Sequence, residues 1–195
     1  DYGIQIQKRF FAHFLKGEAN GWDQEPPVRL QVRHPKRFEA RTDTDWPLPQ
    51  TQWTKMYLSG ADQSLSLTPS AASGSLCFDA MGDGLSFVSA PLGEDMELTG
   101  PLAAQLKVSS TTADADVFLV LRVLTPDLRE VTFAGAIDPH TPVAQGWLRA
   151  SHRTLDPLLT RPYRPYHTHT QAQPLTPGQA VTLDIELWPT SIVIP

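Results

Sequence analysis

A serine next to a histidine, a His-x-His pair and a single thiol are the side chains here that could carry covalent or metal chemistry: Ser151-His152, His167 with His169, and Cys77. A serine nucleophile needs a base within hydrogen-bond reach and a strained turn that exposes its hydroxyl, as in Gly-x-Ser-x-Gly. That pattern does not occur. Ser151 and His152 instead lie in the run Gly146-Trp147-Leu148-Arg149-Ala150-Ser151-His152-Arg153, where Leu148 and Ala150 alternate with Arg149, Ser151 and Arg153. Alternation predicts a half-buried strand, on which neighbouring side chains point to opposite faces. Ser151 and His152 then cannot pair as nucleophile and base. Cys77 sits between Leu76 and Phe78 with no basic cluster to activate it, and reads as a small buried hydrophobe.

His167 and His169 would share one face of a strand and could hold a metal ion, with His140 or His152 brought in by the fold. The plainer reading is a solvated loop. Asp114 and Asp116, with Thr111 and Thr112, could place oxygens around Ca2+, but such a site needs at least about six, and the sequence does not group them. These residues equally suit a turn before a strand that starts at Val117. The aromatics Trp22, Trp46, Tyr163 and Tyr166 could stack on sugar rings, or pin long connections to the core. The reading assigns no catalytic residue, no metal and no cofactor.

The frame around these residues follows from composition. A chain of 195 residues with 41% hydrophobic and 19% charged residues is long enough for one well-buried core. Its 18 prolines exclude helix interiors and central strand positions, which argues for short strands and long connections. A net charge of −5 and a pI near 5.6 argue against nucleic acid or an anionic membrane as partner. One cysteine excludes an intrachain disulfide framework, and no run approaches a bilayer span, so the expectation is a soluble, cytoplasmic protein.

Along the chain, Ile4–Lys16 reads as a helix with Phe10, Phe11, Phe14 and Leu15 at helical spacing, closed by Gly17. So aromatic a face must be covered. Val28–Arg33 alternates strictly, with Val28, Leu30 and Val32 inward and Arg29, Gln31 and Arg33 outward. Further strands are expected at Trp53–Leu58, Leu85–Ser89, Met96–Ser110, Val117–Leu124, Val131–Ala136, Gly146–Ser151, Val181–Trp188 and Ile192–Ile194. Short strands at this spacing after one helix predict an all-β sandwich.

The order of several segments resembles the C-terminal jelly-roll domain of the CocE/NonD family of serine hydrolases, relatives of cocaine esterase and the X-Pro dipeptidyl-peptidases. They are Arg9-Phe10-Phe11-Ala12-His13-Phe14-Leu15-Lys16-Gly17 with Asn20-Gly21, Glu25-Pro26-Pro27-Val28-Arg29-Leu30, Trp46-Pro47-Leu48-Pro49, and Leu98-Thr99-Gly100-Pro101. Ser109 to Phe118, Gly146 to Arg153, and Tyr163-Arg164-Pro165-Tyr166-His167 complete the match. The resemblance implies a galactose-binding-like jelly roll over residues 25–195, preceded at 1–24 by the last helix and linker of an α/β-hydrolase domain. It implies that this hydrolase domain is the partner, that Phe10, Phe11 and Phe14 face it, and that the Ser-His-Asp chemistry resides there. No catalytic residue can be carried over. Two departures stand out: residues 59–84 are compact where the family usually carries a longer insertion, and the family usually continues past Pro195 into another core strand. An unpaired edge there would predict a homo-oligomer, strand exchange or a longer parent sequence. The rival readings are a freestanding carbohydrate-binding module and a metalloenzyme built on the histidine loop.

Overall fold

The computed structural model describes residues 2–135 and 137–195 and shows a β-sandwich with one N-terminal helix. Helix α1 (Tyr2–Lys16) ends at Gly17, which takes up a left-handed conformation (φ 68°) and donates its N–H to the His13 carbonyl. A 3-10 turn over Trp22–Gln24 follows. The strands are β1 (Val28–His34), β2 (Arg37–Asp43), β3 (Tyr57–Leu58), β4 (Leu65–Ser66), β5 (Met96–Val108), β6 (Asp116–Leu121), β7 (Val123–Leu124), β8 (Glu130–Val131), β9 (Ala144–Arg149) and β10 (Val181–Ile194). One layer is a sheet in the order β2-β1-β10-β5, and the antiparallel pair β6-β9 faces it.

The alternation expected of β1 and β9 is present, β5 and β6 alternate as well, and the buried residues of β9 and β10 meet between the layers. Leu148, Ala150, Leu175, Leu183 and Ile185 form one cluster, with Val117 and Leu119 of β6 packed on it. Val123, Val143 and Ile192 form a second, closed by Leu98, Leu121 and Phe133. The two expected strands Val181–Trp188 and Ile192–Ile194 are one strand, β10, whose pairing with β5 slips between Leu187 and Thr190. Pro189 has no N–H to give the ladder, so Trp188-Pro189 bulges. The bulge also changes the inward phase. Leu183, Ile185 and Leu187 are buried before it, and Thr190 and Ile192 after it, which is why the sequence reads as two elements.

Other departures have physical causes. Strand β2 pairs with β1 from Val28↔Asp43 to His34↔Arg37; it alternates charges with Phe38, Ala40 and Thr42, all three exposed, and is not among the expected strands. Charge is how an edge strand avoids foreign pairing. Trp53–Leu58 is a strand only at Tyr57–Leu58, and Leu85–Ser89 contributes one bridge, Val88 to Ser64. The expected strand Val131–Ala136 reduces to β8 and a bridge at Phe133, and Ala136 lies outside the described residues. Cys77 is exposed, not buried, because residues 70–84 lie on the surface without a strand to turn them inward.

Arg33, expected to face outward, turns back into the sandwich and is half-buried. Its guanidinium donates to the Ser191 carbonyl at 3.2 Å, the Val143 carbonyl at 3.0 Å and the Thr190 hydroxyl, and lies 4.6 Å from the centre of the Phe133 ring. Burial pulls its pKa down, and neutral oxygens satisfy its donors. One side chain thus joins β1, β10 and the approach to β9.

Two stability predictions follow from these contacts. A Cβ at Gly146 would run into the Glu186 carbonyl and lie 2.9 Å from Leu187 Cα, so Gly146→Ala is expected to cost about 2–3 kcal/mol in urea unfolding. An unchanged midpoint would mean that β9 and β10 part easily. Arg33→Met is expected to cost about 1–3 kcal/mol by the same assay. Arg33→Lys should restore only part of the loss, because an ammonium lacks the planar fork.

Candidate functional site

A concavity opens on the surface where β9 crosses β10. Trp147 leaves β9 on the outer face, opposite in phase to buried Leu148. Trp188 leaves β10 on its outer face, opposite in phase to buried Leu187, and meets Trp147 edge to face, with ring centres 5.2 Å apart. The two indoles and Glu186 line a groove of about 480 Å3, together with Arg149, His152, His167 and His169.

Two turns deliver the histidines. The expected strand stops at Arg149, and Ala150–His152 form a 3-10 turn. The loop after it returns alongside itself: Leu155 bridges to His167, and Thr168 donates its N–H to the Thr154 carbonyl. His169 (φ 51°) then places its Nδ1 3.2 Å from Nδ1 of His152. The His167 and His169 rings are 5.9 Å apart. Burial pushes the His167 imidazole below the usual histidine range, helped by the neighbouring His169 and opposed by Asp184. Of the two histidines considered as a third member, His152 joins the group. His140 lies in the Asp138–Thr141 turn, its backbone N–H bonded to the Asp138 carboxylate.

Ser151 is buried and turned away from this group. Its hydroxyl donates to Asp114 Oδ2 at 2.6 Å and its N–H to Oδ1 at 2.9 Å; the Ala115 N–H shares Oδ1. Asp116 accepts two bonds of 2.8 Å from Arg149. Both carboxylates are thus occupied in tying the segment before β6 to the end of β9. Thr112 donates its hydroxyl to the Asp114 carbonyl, in keeping with the turn reading of this segment.

The aromatics separate into three places. Trp22 is half-buried against Phe10 (5.3 Å, edge to face), and Phe10 also touches Phe11 and Phe14 at 5.2 and 4.8 Å. Tyr163 lies flat on Trp53, 4.3 Å apart at 8°, pinning the histidine-bearing loop to the segment before β3. Trp46 and Tyr166 are exposed. Sequence reasoning missed Trp53, Trp147, Trp188 and Glu186. Trp147 and Trp188 could both have been found from their phase against Leu148 and Leu187; that the two indoles meet depends on a strand crossing that only the tertiary structure reveals.

Residues 20–195 match the family described as the X-Pro dipeptidyl-peptidase C-terminal non-catalytic domain. This chain belongs to that family. It is 30% identical to a protein of Mycobacterium bovis named a serine esterase, over 94% of this chain and 32% of the relative. It is 29% identical to the cocaine esterase of Rhodococcus sp., over 68% of this chain and 29% of that enzyme. A CocE/NonD family hydrolase from Staphylococcus aureus superposes with a TM-score of 0.88 at 30% identity, over 98% of this chain and 35% of the other. The chain therefore spans about a third of the length of the curated relatives it matches. The alignment to the mycobacterial relative runs over 218 positions, more than the 195 residues of this chain, so that relative carries extra residues within it. Among the described residues, no helix is long and apolar enough to cross a membrane.

Asp114 gives a pH prediction. Burial raises its pKa, but the bonds from Ser151 and Ala115 outweigh this and hold the carboxyl below the usual carboxylate range. Such a group stabilises the fold above its unfolded pKa of about 3.9 and loses that contribution as pH falls through the lower folded value. Ser151→Ala removes one donor and raises the folded value. Acid unfolding followed by circular dichroism should then begin at a higher pH than in the unsubstituted chain; an unshifted curve would show that the backbone donors alone hold Asp114.

Proposed function

We propose that this chain is the accessory domain of a CocE/NonD-type serine hydrolase. In this reading it packs on an α/β-hydrolase domain and helps shape an ester or amide pocket, without supplying the nucleophile. Excluding water and positioning substrate are contributions that such a domain can make. A galactose-binding-like jelly roll and a cytoplasmic setting belong to the same reading. The observation that carries it is helix α1, read beside the family match. The helix has no buried residue, and Phe11, Phe14 and Leu15 are all more than half exposed. An apolar face of this kind is an interface in want of its other half. Phe10, Phe11 and Phe14 are assigned to that contact.

The chain alone is expected to hydrolyse neither a chromogenic acyl ester nor an X-Pro anilide, and to take no label from a fluorophosphonate probe. Added to a separately produced hydrolase domain of the parent enzyme, it should bind, and Phe11→Asp with Phe14→Asp should weaken that binding at least about tenfold. Turnover with a labelled serine, or binding indifferent to both substitutions, would sink the assignment.

A further inference from the structure

The histidine group in the groove has no part in the accessory-domain reading. The His152 and His169 Nδ1 atoms stand 3.2 Å apart, with ring centres 5.3 Å apart. Two nitrogens held at about 2.0–2.1 Å by a tetrahedral ion stand about 3.3–3.4 Å apart, so the rings already have the separation of a chelate. Three further observations bear on the same spot. His169 reaches its position through a left-handed backbone, unfavourable for a residue with a Cβ and kept only where the surroundings impose it. The neighbouring His167 has its Nε2 buried without a hydrogen-bond partner. Glu186 lines the same groove, where a carboxylate favours a cation.

Among the described residues, no three His, Cys, Asp or Glu side chains are grouped as a metal cage. The grouping is therefore an open two-nitrogen chelate. We propose that His152 and His169 together bind one divalent transition ion through Nδ1. The ion is of the class that imidazole prefers, Zn2+ or Cu2+, with water in its remaining positions. Without the ion, the same spacing serves an N–H···N hydrogen bond, one ring donating and the other accepting. To take the ion, the donating ring shifts its proton from Nδ1 to Nε2, and both rings tilt so that their Nδ1 lone pairs meet off the line between them.

Calorimetric titration of the full chain with Zn2+ tests this directly. One ion per chain with micromolar affinity is expected. Either His152→Ala or His169→Ala should weaken binding by more than the roughly 10–100-fold that loss of an outer-shell partner costs. His13→Ala and His140→Ala should leave it unchanged. Because a substitution could disturb the loop, a second readout uses the unsubstituted chain: Zn2+ should protect His152 and His169, but not His13 or His140, from diethylpyrocarbonate, as mapped by mass spectrometry. No saturable binding, or binding indifferent to both substitutions, or uniform protection of all histidines, would overturn the proposal.

Discussion

The close passage of β9 over β10 at Gly146 is the constraint on which the rest of the structure depends. No side chain fits between the Gly146 Cα and the Glu186 carbonyl, so the two backbones approach as near as their atoms allow. That approach closes the sandwich, since Leu148 and Ala150 then reach Leu183 and Ile185 in one buried cluster. It also forms the groove. Trp147 leaves the crossing on the outer side, where Trp188 of β10 meets it. Core and concavity are two faces of the same crossing.

Polar ties hold the ends of these strands. Arg33 secures the far end of β10 and the approach to β9 by donating to neutral oxygens, and the lowered pKa of its guanidinium reflects its burial. Asp114 does the corresponding work at the other end of β9, receiving the hydroxyl and N–H of Ser151. The Arg33 guanidinium and the Asp114 carboxylate thus both find partners. This arrangement explains why a serine beside a histidine is structural here. The Ser151 hydroxyl is committed to Asp114, and His152 is turned to the opposite side with His169.

Ser151, Asp114 and Asp116 are thus spent on the fold itself. Membership of a non-catalytic C-terminal family accords with this. The surface divides accordingly: an aromatic helix with no buried residue at one place, and a groove of indoles, imidazoles and a carboxylate at another. The first is apolar and asks for a large apolar partner. The second mixes polar and aromatic groups on a scale that suits a small ligand.

The amino-acid sequence by itself determined the all-β class, the N-terminal helix, the inward residues of β1 and β9, and the absence of a Gly-x-Ser-x-Gly motif. Hydrophobic period, proline placement and turn residues act locally, so they can be read along the chain. Tertiary structure alone decided the rest. Edge strand β2 alternates Phe38, Ala40 and Thr42 with charged residues but buries none of the three, so only its pairing with β1 marks it, and β10 reads as two strands because a bulge reverses its phase. Arg33 turned inward because its donors met carbonyls that lie more than a hundred residues away in sequence. His152 and His169, seventeen residues apart, became neighbours only when the loop between them folded back, and Trp147 found Trp188 in the same way. Contacts between distant segments depend on register and crossing, which no local pattern encodes.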